Sequence, residues 1–182
     1  MSRIKRLTQS YSKYVSVPWR DAAAAQRVIF CVYHETEELR LRAKVDEFEI
    51  ATRAAGHDWA LFDLTNSFPN WLASQRYAKS YFQKPNLLST LLPKYLSYIE
   101  AEFETFLKDK NVSEEFVVAL QGVGTLFGFL KVKEVVDKLA PKVKGRLLVF
   151  FPGSYEDNNY RLLDGYDGWN YLAVPITADK EF

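Results

Sequence analysis

The chain has 182 residues, 48% of them hydrophobic and 26% charged, with a net charge of +1. That suits one ordinary globular domain able to bury its own core, and it gives no support for a strongly basic polyanion binder. A single cysteine, Cys31, excludes a disulfide framework or cysteine zinc site, and no run approaches the ~18 apolar residues of a membrane span.

Residues 3–16 carry Ile4, Leu7, Tyr11, Tyr14 and Val15 at helical spacing, which predicts a helix ended by Pro18. Its cations Arg3, Lys5 and Arg6 read as a solvated face. No apolar leader is visible, so a cytoplasmic protein is expected. Val28 to Tyr33 is an unbroken apolar run, too short for a helix and rich in β-branched and aromatic residues. Such runs are strands buried on both faces, and Cys31 reads as a small buried hydrophobe within this one. From Glu35 to Ala55, Leu41, Val45, Phe48 and Thr52 form one apolar stripe, so a helix is predicted. Glu35, Glu37 and Glu38 crowd its first turn, where the helix dipole favours acids, and Gly56 is its natural stop. Trp59 to Leu64 is the second strand and completes a β-α-β unit.

Residues 66–110 read as a helical insertion, opened by Asn66-Ser67 and Pro69 and divided by Pro85. Its longer helix runs from about Leu87 to Lys108, with Pro93 near the regular start or kinking it. Phe116 to Leu120 is the third strand, Thr125 to Leu139 a helix closed by Pro141, and Leu147 to Phe151 the fourth strand. A last strand over Tyr171 to Ile176 follows turn signals at Asp164-Gly165 and Asp167-Gly168. This alternation predicts one α/β domain over residues 1–182: a three-layer sandwich with a largely parallel sheet of about five strands, Rossmann-like or degenerate P-loop-like.

The strand-turn-helix at Gly122-Val123-Gly124-Thr125 has the outline of a phosphate-binding turn, but lacks its chemistry. No G-x-x-x-x-G-K-[ST] string exists to supply a cationic Lys and a magnesium-binding hydroxyl. Ala60-Leu61-Phe62-Asp63 matches a strand ending in a metal-binding Asp, a pattern weak without that loop. As a dinucleotide fingerprint, the third glycine is displaced (Gly122, Gly124, Gly128) and the next strand ends in Phe151-Pro152-Gly153, not an acid. The simpler reading is a tight turn packed on a helix. His34 falls at the carboxyl end of the first strand, where open sheets place ligands; the commoner role of such a histidine is a local cap.

His34 and His57 are isolated, and Glu156-Asp157-Asn158-Asn159 lacks the spacing of a calcium loop, so no metal is expected. There is no G-x-S-x-G elbow, and Ser154 has no matched local base. The expectation is therefore a protein with no catalytic residues and no cofactor. Tyr155, Tyr160, Tyr166, Trp169 and Tyr171, interleaved with Asp, Asn and Arg161, serve equally as interface anchors or as rings finishing the core.

Val118-Ala119-Leu120-Gln121-Gly122-Val123-Gly124-Thr125-Leu126-Phe127, the helix after it, and Leu147 through Phe150-Phe151-Pro152-Gly153-Ser154-Tyr155 resemble the BrxB family of bacterial BREX phage-defence systems. Arg161-Leu162-Leu163 and Asn170-Tyr171 echo it, over about residues 115–176. The family often has Asp-Gly after the Tyr, where this chain has Glu156-Asp157-Asn158. The resemblance implies a non-enzymatic component of a larger defence complex, beside a PglZ-type protein and a DNA methyltransferase. The expected working surface is the carboxyl edge of the sheet: His34, Asp63, Gly122, Gly124, Thr125, Pro152, Gly153 and Tyr155, with Arg161 and Trp169 adjoining. The rival is a degenerate ATPase-like module that binds nucleotide or DNA without turnover. An enzyme pairing His34 with Asp63 ranks last.

Overall fold

The apolar run Val28–Tyr33 forms strand β1, buried at every position, and it lies inside a parallel sheet as such a run should. The computed structural model describes residues 1–19, 23–165 and 168–179. Helix α1 (Arg3–Val15) precedes β1; α2 (Glu38–Arg42) and α3 (Val45–Ala54) lead to β2 (Asp58–Asp63). Then come α4 (Ser67–Ala73), α5 (Ala78–Gln83), α6 (Leu92–Asp109), β3 (Phe116–Gln121), α7 (Val132–Leu139) and β4 (Arg146–Glu156). Three strands finish the chain: β5 (Asn159–Leu162), β6 (Trp169–Asn170) and β7 (Val174–Thr177).

Five strands run parallel in the order β2-β3-β4-β1-β7. Alternate residues of the central strands point to opposite faces and build two separate clusters. Ile29, Cys31 and Tyr33 join Leu148 and Phe150 under Leu7 and Tyr11 of α1, Leu41 of α2 and Phe48 of α3. Phe30 and Val32 join Val149 and Phe151 under Trp71 of α4, Ile99 and Phe103 of α6, and Val136 of α7. The result is the three-layer α/β sandwich expected from the alternation, and Cys31 is fully buried in it.

Several element boundaries differ from the sequence reading. The stripe of Leu41, Val45, Phe48 and Thr52 is buried, but its helix breaks at Ala43-Lys44 into α2 and α3. Pro93 falls in the first turn of α6, where a missing N–H costs nothing, so the regular helix begins at Leu92; a 3-10 stretch over Pro85–Thr90 precedes it. No helix spans 125–139. Val123–Leu126 is a 3-10 turn, Gly128 takes φ +81°, and α7 starts only at Val132.

The fourth strand does not stop at Phe151. It continues to Glu156 and turns back through Asp157 and Asn158, both at positive φ, to pair antiparallel with β5. The polar quartet at 156–159 is thus a hairpin turn, where Asp and Asn tolerate the left-handed region. The strand predicted over Tyr171 to Ile176 begins only at Val174, as β7, which pairs parallel with β1; the short β6 lies just before the predicted range and pairs with β5. Tyr166 and Asp167, predicted as an anchor and part of a turn, lie outside the described residues.

Candidate functional site

Because the five strands are parallel, the ends of β1, β2, β3 and β4 reach the same edge of the sheet. At β2 and β3 they meet directly. Asp63 accepts hydrogen bonds at Oδ1 from the Thr65 amide (2.9 Å) and hydroxyl, and at Oδ2 from Gln121 Nε2 (3.2 Å). Gly122 follows with φ +82°, and a Cβ there would lie 2.7 Å from both Thr65 N and Oγ1 and 3.1 Å from Asp63 Oδ1. The Thr125 hydroxyl folds back on Gly122 O (2.7 Å) and Leu64 O (3.3 Å). Thr125 N also bonds Gly122 O, at 3.1 Å.

The turn is therefore filled by its own neighbours. A phosphate cradle needs open amides and positive charge, and here a carboxylate sits on the glycine. The glycine is explained by the close approach of Thr65, not by a ligand.

His34 caps the short 3-10 turn after β1: Thr36 N donates to its Nδ1 (3.3 Å), which also contacts Thr36 Oγ1 at 2.8 Å. Its Nε2 lies 3.7 Å from Glu35. In the sheet, β4 and β3 separate His34 from Asp63. Three strand spacings amount to about 14 Å, too far for an acid-base couple.

The connections leaving β1 and β4 go to opposite layers, so the edge between them is the switch point where open sheets bind ligands. Here Tyr33 registers with Pro152, and β4 simply runs on through that position to meet β5. A Cβ on Gly153 would stand 2.0 Å from Arg161 O, so this glycine lets two backbones touch. Pro152 and Gly153 are buried; Pro152 O accepts from Leu163 N (2.8 Å).

Tyr155 and Trp169 are half-buried, in one aromatic cluster. Tyr155 lies 4.7 Å from Tyr160, and Trp169 lies 5.8 Å from Phe30 and 5.9 Å from Phe151. Tyr160 is fully buried, with its hydroxyl pKa pushed up by burial. Arg161 points to solvent on β5, opposite Ser154.

One exposed side chain at this edge escaped the sequence reading. Phe127, placed inside a predicted helix, stands 47% exposed where the chain breaks, close to Gly165. Its neighbour Phe129 turns inward and stacks on Phe68 at 4.0 Å. The displaced third glycine, Gly128, was the available signal for that break.

The opposite edge holds a groove of about 410 Å³, lined by Val112, Ser113, Glu114, Glu115, Lys142 and Lys144. It holds both charge signs and none of the residues predicted as a site. Beside Glu115, the His57 ring stacks on Trp19 at 3.6 Å, and Arg146 lies 4.7 Å over Trp19. Among the described residues no group of His, Cys, Asp or Glu could hold a metal ion, and no helix is long and apolar enough to cross a membrane.

Fold and edge together define an α/β sandwich whose parallel sheet has its usual ligand crevice built over by its own chain. The family model described as BREX protein BrxB matches residues 71–175, from α4 into β7. The chain belongs to the BrxB family and so to the components of BREX phage-defence systems. The match begins well before the 115–176 stretch that carried the resemblance and takes in α5 and α6 as well. No curated protein and no solved structure matches the chain.

Proposed function

We propose that the protein is a non-catalytic adaptor of a BREX complex, acting in the cytoplasm through protein contacts at the carboxyl edge of its sheet. The observation that supports this is the filled edge. Asp63 and Thr65 cover Gly122, and β4 occupies the switch point, leaving no cradle for a nucleotide. What stands free there is Phe127, close to Gly165, with Arg161 exposed on β5 a few residues before that glycine. An exposed aromatic ring and an arginine are the side chains that most often anchor protein interfaces. The partners favoured by the family are a PglZ-like protein and a DNA methyltransferase.

Affinity capture of the tagged protein from its native host tests this, with Phe127→Ala and Arg161→Glu compared with the unaltered chain. The unaltered chain returns one of those partners in stoichiometric amount, and each variant loses about tenfold or more of it at unchanged melting temperature. Full retention by both variants, or an unaltered chain that returns alone, refutes the reading.

A further inference from the structure

Residues 64–99 contain four cations, Arg76, Lys79, Lys84 and Lys94, and no acidic residue, so the rest of the chain carries −3. The near-neutral total conceals this separation. All four cations are exposed, and among the described residues none lies within ion-pair distance of a carboxylate. The segment is fastened at both ends by buried Trp71, Leu72 and Leu88. Between them α5 buries no residue at all. Tyr77 and Phe82 are each 58% exposed, and the Arg76 guanidinium sits 5.4 Å above the Tyr77 ring. Lys79 and Phe82, three residues apart on α5, are neighbours on one side of that helix, and Arg76 lies in the turn that leads into it.

We propose that this arm binds single-stranded nucleic acid. A single strand presents phosphates to the cations and unstacked base faces to the rings, so it satisfies both halves of the surface. An acidic peptide would engage the lysines and leave Tyr77 and Phe82 in water. An apolar partner would bury the rings and strand the cations unpaired, at a cost that opposes binding. Duplex DNA hides its base faces in the stack and offers the rings nothing. The contact is independent of the carboxyl edge, so the adaptor reading and this one stand or fall separately.

The test is fluorescence anisotropy of the full chain with a labelled oligothymidylate of about 15 nucleotides, near the upper site size of small single-strand binders. Binding is followed through a salt titration, with duplex of the same length and polyglutamate as competitors. Lys79→Gln with Lys84→Gln weakens binding about tenfold and lowers the salt slope by about 1.4. Tyr77→Ser with Phe82→Ser weakens it about tenfold with the slope unchanged. A control pair on α1, Lys5→Gln with Arg6→Gln, leaves affinity within about twofold. All six side chains are exposed, and thermal melts confirm that the variants stay folded. Absence of saturable binding at low salt overturns the proposal. So does equal competition by polyglutamate with the ring variant unaffected, which would make this an acidic-protein surface. A loss seen in the control pair but not in the arm variants would equally overturn it.

Discussion

Gly122 and Gly56 share nearly the same backbone, φ +82° and +85°, but not the same surroundings. A Cβ at Gly56 meets nothing within 4 Å, whereas at Gly122 it meets the Thr65 amide and hydroxyl at 2.7 Å. Gly56→Ala should therefore cost only the left-handed penalty, about 1–2 kcal/mol, and Gly122→Ala clearly more, about 3 kcal/mol in all. Urea midpoints of the two variants check the ordering; equal losses would mean Thr65 is not held against the turn. His57 gives a second test at this scale. Its pKa is held down by burial first and by Arg146, against the opposing pull of Glu115 and Asp58. The unfolded chain then takes up the proton at higher pH than the folded one. Stability should be full above about pH 6.5 and fall as pH drops from there through the lower folded value. His57→Phe keeps a ring against Trp19 and removes that component. If the melting temperatures of the variant and the unaltered chain stay parallel between about pH 7.5 and 5, burial does not hold the His57 pKa down.

Elements whose local signals agreed with their tertiary setting were legible in advance. The β1 run faced a layer on each side, the α1 periodicity and the stripe through Leu41 and Phe48 each faced one, and each is buried as its pattern implied. The helix predicted over 125–139 fails because two requirements compete there. Leu126, Leu130 and Val132 must reach the core, and Gly128 at φ +81° lets the chain break so that they can. The β4–β5–β6 extension was hidden for another reason. Residues 152–156 alternate too weakly to read as a strand, and the pairing of 153–156 is set by partners three to nine residues on. Trp169 was consequently legible as an aromatic but not as a member of the Phe30, Phe151 and Tyr160 cluster. Trp169→Ala should cost about 2–3 kcal/mol, below the full core value because the ring is half-buried. Chemical denaturation measures it, and a loss under about 0.5 kcal/mol would show that the extension is not packed on the sheet. Partner binding lost in that variant would say nothing about an interface, whereas Phe127→Ala carries no such ambiguity.

At the scale of the whole molecule, the sheet separates two apolar clusters that share only its backbone, and β1 belongs to both through its alternating side chains. Cys31 sits mid-strand, in register with Phe150 on β4 and Ile176 on β7, with no exposed surface and its thiol pKa pushed up by burial. To reach solvent it needs α1 and α3 lifted away on one side of the sheet, which exposes the cluster they cover. Opening at Cys31 should therefore be close to global unfolding rather than a local fluctuation. Ellman's reagent should leave the native protein unmodified on the timescale of minutes. In urea, the labelling rate should rise with a denaturant dependence equal to that of the circular dichroism transition. Phe82→Ser, on the exposed arm, should leave that rate unchanged, while Gly122→Ala should raise it in proportion to its loss of stability. Labelling that precedes the loss of secondary structure would show instead that the α1–α3 layer opens independently of the α6–α7 layer. The shared sheet would then fail to couple the two halves of the core.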